Sequence, residues 1–457
     1  MPAQGDLRKR VKMRELPPEE RIKSFSEVAL GYEESEARAE AERCLQCKNA
    51  PCIKGCPVNI NIPAFIREVK NGELQEAYRI ITEANLLPGI CGRVCPQETQ
   101  CEAVCVRGIK GEPIAIGRLE RFVSDANTEA ETEVAAESGH RIAIVGSGPA
   151  GLTCAGIARR LGHKVCVYEA LHKAGGVLTY GIPEFRMPKA IVEREIAKLE
   201  NMGVEFRFNA VIGKTFTLAE LLQEYDAVFI GTGAGLPKFM GIPGENLNGV
   251  FFANEFLTRV NLMQAGREGY DTPLRPVKNA IVVGGGNVAM DAARVARRLG
   301  AEVTIVYRRG REEMPARREE VEHAVEEGIE MLLLTNPTKI IGEGGFVKAI
   351  ECVRMELGEP DASGRRRPVV VAGSEFSLSA DTVIIAIGNH PNPLLREETP
   401  GLKTDGRGCL IVDERLMTSV PGVFAGGDVV TGAATVILAM EAGKKAAYEI
   451  DRYIRNK

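Results

Sequence analysis

From residue 141 onward the chain alternates short apolar runs with helical stretches, the texture of a parallel sheet covered by helices. Two of these stretches repeat each other. RIAIVGSGPAGLTCAGIARRLGHKVCVYE begins at Arg141, and NAIVVGGGNVAMDAARVARRLGAEVTIVYRR begins at Asn279. Each reads as a strand, a glycine turn, a helix ending in ARRLG and a second strand. Gly146 to Gly284 and Gly162 to Gly300 are both separated by 138 residues (284 − 146 and 300 − 162). Two dinucleotide-binding βαβ units in tandem are therefore expected. Three more apolar runs end in glycine: DAVFIGTGA at 226–234, DTVIIAIGN at 381–389 and GVFAGGD at 422–428. The first and third fit the first nucleotide domain. The second either closes the inserted unit or returns the chain to the first. The expected fold class is α/β, with one Rossmann-like domain split between 141–250 and 381–457 and a second inserted at 251–380.

Ahead of this lies a different texture. Residues 15–43 carry a mixed-charge helical pattern, with Ile22, Phe25, Val28 and Leu30 among Glu and Arg. A cysteine-rich stretch follows, interrupted by a helical insert, IPAFIREVKNGELQEAYRIITEAN. These predict a helical domain over 1–125, joined by a polar linker at 126–140.

Composition narrows the function classes. A length of 457 residues suggests two to four domains. Charged residues make up 26% of the chain and the net charge is only −4, which argues against a nucleic-acid partner. No apolar run approaches the ~20 residues of a membrane span, and the N-terminus lacks a signal-peptide core, so a cytoplasmic protein without a membrane partner is expected. Eight of the twelve cysteines fall between Cys44 and Cys105. In a cytosolic chain of this size so dense a group points to metal rather than disulfides. Cys154, Cys166, Cys352 and Cys409 stand alone and read as small buried apolar residues.

The first glycine turn is Gly146-Ser147-Gly148-Pro149-Ala150-Gly151. Its glycines let backbone N–H groups approach a pyrophosphate, and the following helix N-terminus favours that charge. The second strand ends at Glu169, whose carboxylate can accept hydrogen bonds from a ribose diol. GVFAGGD ends in Asp428, suited to a ribityl chain, and the helix after it should point its N-terminus at a flavin. The second turn is Gly284-Gly285-Gly286-Asn287-Val288-Ala289. Here Tyr307 replaces the acid, and Arg308, Arg309 and Arg311 follow. A carboxylate would repel a 2′-phosphate and an arginine can clamp one, so this site should take NADPH rather than NADH.

The cysteines fall in two runs, Cys44-x2-Cys47-x4-Cys52-x3-Cys56-Pro57 and Cys91-x3-Cys95-Pro96-x4-Cys101-x3-Cys105. Thiolates on such short loops can wrap iron–sulfur cubanes. The runs lack the paired C-x2-C symmetry of zinc ribbons, the main competitor.

The order of a Cys-rich domain, a split FAD domain and an inserted NADPH domain resembles the small subunit of bacterial NADPH glutamate synthase. It is also similar to the large subunit of NADH-dependent ferredoxin:NADP⁺ oxidoreductase and to the N-terminal half of dihydropyrimidine dehydrogenase. RCLQCKNAPCIKGCPVNINIPAFI, ICGRVCPQETQCEAVC, GGVLTYGIPEFRMPK and VYRRGREEMPAR carry the likeness, which covers essentially the whole chain. The interval from Cys95 to Cys101, and Ala64-Phe65 where glutamate synthases tend to carry Trp, pull toward the ferredoxin:NADP⁺ oxidoreductase type. The resemblance implies FAD, NADP(H) and two [4Fe–4S] clusters, one held by Cys56, Cys95, Cys101 and Cys105. The other would take Cys44, Cys47 and Cys52 with Glu120, or with Cys91 in its place. It also implies flavin contacts from Gly176, Gly233, Gly427 and Thr435, and a nucleotide contact from Arg317. The implied partners are ferredoxin and a second flavoprotein subunit with an iron–sulfur cluster, or else a glutamate synthase large subunit.

Overall fold

The computed structural model describes residues 6–127, 133–361 and 364–457. The segment expected as a linker lies partly outside them.

The cluster domain is helical where its apolar spacing is helical. Ile62–Asn71 buries Ile62, Phe65, Ile66 and Val69, one stripe of a 3.6-residue period, and ends at Gly72 in the left-handed conformation (φ 85°). Leu74–Ala84 follows at once and buries Ala77, Tyr78, Ile80 and Ile81. The helical pattern read over 15–43 is only partly realised. Arg14–Glu15 pairs antiparallel with Ala29–Gly31, Pro18–Arg21 forms a single turn, and only Glu34–Glu42 is a full helix. Tertiary contact explains the difference: the Val28 amide donates to the Phe185 carbonyl at 2.9 Å, and Val28 joins the apolar core around Phe256 and Val282.

The first parallel sheet has the order Val423–Ala425, Ala227–Ile230, Arg141–Val145, Lys164–Tyr168, Val204–Arg207. Strands from both ends of the segment thus share one sheet. Helix Pro149–Arg160 follows its central strand, and the C-terminal helix Val436–Arg455 crosses close to it. The crossing requires Gly443, where a Cβ would come 2.1 Å from the Ala150 carbonyl oxygen.

The second parallel sheet has the order Glu330–Leu333, Glu302–Tyr307, Asn279–Val283, Thr382–Ile385, Val250–Phe252. Thr382–Ile385 therefore closes the inserted unit, and the chain returns to the first sheet after this strand rather than at 381. An antiparallel sheet, Thr335–Glu343, Phe346–Pro360, Arg366–Val370 and Phe376–Ser379, fills the loop before that strand. Leu236–Pro237 pairs with Asn389–His390 where the chain passes between the two nucleotide units. Among the described residues no helix is long and apolar enough to cross a membrane.

Candidate cofactor and cluster sites

At the first turn Gly146 has φ +98°, and a Cβ on Gly151 would lie 1.9 Å from the Gly146 carbonyl oxygen. Only glycine permits this approach. Gly148, at the helix start, faces open space. The Glu169 carboxylate accepts from the Ser147 amide (3.0 Å), the Ser147 hydroxyl (2.5 Å) and the Leu171 amide (2.8 Å). The Ser147 hydroxyl in turn accepts from the Gly175 amide at 3.0 Å. Ser147, an unassigned position of the glycine motif, thus ties the acid to the turn. The next residue, Gly176, has φ +55°, and a Cβ there would approach the Gly148 Cα to 3.0 Å. From the far end of the chain Gly427 (φ +75°) reaches the same turn, with a would-be Cβ 3.0 Å from that of Ala150. Asp428 accepts from the Ala434 amide at 3.2 Å, and burial pushes its carboxyl up to about 6. Thr435 caps the C-terminal helix by accepting from the Leu438 amide at 3.4 Å. Gly233 takes φ +70° beside open space. Tyr180, not identified from sequence, has its hydroxyl pushed up to about 12 by burial and by the charges of Glu169 and Asp428. These residues, far apart in the chain, gather around one glycine turn with the donors and acids that suit a dinucleotide such as FAD.

The second turn repeats the device. Gly284 has φ +147°, and a Cβ would lie 2.3 Å from the Ala386 carbonyl oxygen. Gly285 makes room for the Tyr307 ring, 2.6 Å from its would-be Cβ. Helix Asn287–Arg298 starts directly after Gly286. Val288 is exposed and Ala289 buried. The Asn287 side-chain oxygen accepts from the Arg317 amide at 2.9 Å. Three of the arginines named for this site have different environments. Arg308 is exposed at the strand end. Arg309 is buried and donates to the Arg366 carbonyl (2.8 Å) and to Asp361 (2.5 Å), so its guanidinium holds the antiparallel sheet instead of facing solvent. Arg317 reaches the cluster domain, donating to the Arg93 carbonyl at 2.7 Å and to Glu319 at 2.9 Å.

The cysteines form two groups, divided differently from the expectation. Cys44, Cys47, Cys52 and Cys105 line one apolar hollow, with Ile62, Ile66, Ile114 and Ile116 behind them. Cys56, Cys95, Cys101 and Glu120 interact electrostatically with one another in a second, buried group. Cys105 therefore joins the first run, and Glu120 the second set. The physical reason is the turn through Cys101–Cys105, which buries Cys101 and leaves Cys105 half-exposed, while helix Ile116–Ala126 turns Glu120 inward. Burial pushes Cys52 and Cys56 up to about 11 and Glu120 up to about 8, so anionic ligands here call for a cationic centre. Asn85 donates to Glu120 at 2.6 Å. Cys91 is buried beside them, its Sγ 3.4 Å from the Met440 Sδ on the C-terminal helix. Glu120 and Cys91 both face the second group. Among the described residues, the only three potential ligands whose donor atoms lie within 4.8 Å of one another are Glu15, Glu319 and His323. The cysteines are thus spread too widely for a single zinc ion, as suits a cubane whose ligands bind separate irons. Cys154, Cys166, Cys352 and Cys409 are buried and unpaired.

Residues 140–443 match the family model described as pyridine nucleotide-disulphide oxidoreductase, and residues 21–132 match dihydropyrimidine dehydrogenase domain II, 4Fe-4S cluster. The chain is 42% identical over 435 residues to the NADP(+)-dependent formate dehydrogenase subunit beta of Moorella thermoacetica, covering 89% of this chain and 60% of that protein. It is 38% identical over 449 residues to the glutamate synthase [NADPH] small chain of Escherichia coli, covering 94% of this chain and 95% of that one. Among solved structures, FprA from Mycobacterium tuberculosis superposes with a TM-score of 0.59 at 23% identity, over 69% of this chain and 85% of the other, a likeness of fold. The paired nucleotide turns and the cysteine domain thus agree with the sequence comparisons: the chain is an oxidoreductase that belongs to the glutamate synthase small-chain family.

Proposed function

We propose that the chain is the NADPH-linked subunit of a larger electron-transfer enzyme, serving ferredoxin and a partner flavoprotein subunit through one FAD and two [4Fe–4S] clusters. When bound, FAD supplies the exchange between a two-electron hydride donor and one-electron carriers. Gly146, Gly148, Ala150 and Gly151 would take its pyrophosphate, Glu169 its ribose, and Asp428 its ribityl chain. Gly284, Gly286, Asn287 and Ala289 would take the pyrophosphate of NADPH, with Arg308 on the 2′-phosphate. Cys44, Cys47, Cys52 and Cys105 would hold one cluster. Cys56, Cys95, Cys101 and Glu120 would hold the other.

The observation that carries this reading is the order of burial. The C-terminal helix begins beside Asp428, and Lys444 on it donates to the Val58 and Ala84 carbonyls of the cluster domain, both at 3.1 Å. Cys91, beside the buried ligand group, lies against that helix, and the other cysteine group is closer to the surface. Cofactors held in this order would run from a nucleotide hollow to the surface. Protein prepared without oxygen should contain FAD and about eight irons, four for each cubane. It should reduce a viologen dye with NADPH in preference to NADH. Zinc without iron, or a preference for NADH, would overturn the reading.

A second reading has its own support, the match to 95% of a glutamate synthase small chain. In that case the partner is a glutamate synthase large subunit, and the subunit that copurifies decides between the two.

A further inference from the structure

We propose that the surface over the half-exposed cysteine group is the docking face for an acidic one-electron carrier protein; this rests on the reading above, in which that group holds the outer cluster. Leu45, Val104, Val106 and Ile109 are 50%, 45%, 36% and 78% exposed, a dense set of large apolar side chains for so short a span. They belong to one place. Leu45 and Val106 line the same hollow as Cys44, Cys47, Cys52 and Cys105. Val104 packs over Gly55, where a Cβ would meet its methyl at 2.7 Å. Ile109 ends the single turn Val106–Ile109 that starts directly after Cys105.

Charge identifies the partner. No acidic residue occurs between Glu42 and Glu68, or between Glu102 and Glu112, although the whole chain carries a net charge of −4. The same two segments supply Lys48, Lys54, Arg107 and Lys110. Lys48, Lys54 and Lys110 are exposed, while Arg107 is half-buried and donates to the Arg43 carbonyl at 2.9 Å. An apolar centre whose own two segments carry only cationic charge suits a transient redox encounter, in which complementary charge steers approach and a small dry contact brings the centres close. A carrier with an acidic face around its own exposed centre fits this surface, and a neutral or basic one does not.

The test is a binding titration of an acidic plant-type [2Fe–2S] ferredoxin with the cluster-loaded full chain at low and high salt. The parent should bind, and binding should weaken as salt rises. The triple reversal K48E/K54E/K110E should weaken low-salt binding by about ten-fold or more. Reversal of three lysines in other segments, K339E/K348E/K403E, should leave it unchanged. Equal binding by both triple variants overturns the proposal. So does binding of anionic phosphatidylglycerol vesicles that the first triple variant loses while its ferredoxin binding stays at the parent's level, because the patch would then serve a membrane. NADPH–dye reduction is measured on the same samples. Its absence in the parent counts against the proposed function alone, since the titration needs no turnover.

Discussion

The two neighbouring arginines at the end of the second nucleotide domain's strand should fail in different ways. Arg308 is exposed and makes no ion pair with the described residues, so it is available to a ligand, whereas Arg309 is spent on Asp361 and on the Arg366 carbonyl. A charge-assisted hydrogen bond is worth about 1.5–3 kcal/mol. At about 1.4 kcal/mol per tenfold, losing it costs roughly 10- to 150-fold in affinity. Arg308 stands at the surface, where water screens its charge, so the lower end applies. R308S should therefore raise KM for NADPH by about ten-fold, leave KM for NADH and the dye-limited rate unchanged, and leave the melting temperature in place. R309S removes the buried partner of Asp361 and a donor to the sheet, a loss of about 1–3 kcal/mol that should lower the melting temperature while altering the NADPH-to-NADH ratio little. Steady-state kinetics with both nucleotides, alongside thermal denaturation, separates the two. A coenzyme switch in R309S with none in R308S would refute the reasoning.

Two further outcomes follow from the geometry. C105S should abolish the same electron paramagnetic resonance signal as C47S, and C101S the same signal as C56S, because the hollow that Cys105 lines contains Cys44, Cys47 and Cys52; C105S grouping with C101S would restore the division expected from the family. Burial holds the Asp428 carboxyl at about 6, above its ordinary 3.8, so its protonated form favours the fold. That contribution is complete below pH 4 and is lost as pH rises through 6, about 3 kcal/mol at most in the flavin-free protein. The melting temperature of D428N should lack this component between pH 4 and 7, and an unchanged pH profile would show that Asp428 is solvated.

Much of the chain's organisation follows from local pattern. The two strand–glycine–helix units, the exchange of Glu169 for Tyr307 and the crowding of cysteines are one-dimensional signals, since each depends on residues a few positions apart. The glycines in particular report contacts that their own neighbourhood dictates, as Gly151 does against Gly146. Where a distant element competes, the local pattern loses its authority. The helical spacing over 15–43 gave way to a strand pair because Phe185 offered Val28 a hydrogen bond and a core position. Tyr180 and Ser147 escaped notice because their importance comes from acids that only folding brings near.

The sequence by itself determined that this chain carries two nucleotide turns and a cysteine domain, and that the second turn lacks the acid of the first and has arginines beside it. Only the tertiary structure decided which cysteines stand together, that Thr382–Ile385 belongs to the inserted sheet, and that Arg309 is occupied while Arg308 is exposed. The physical reason is common to all three. Spacing along the chain limits how far apart two residues can be, but the direction in which a side chain points is set by burial and by hydrogen-bond partners from remote segments.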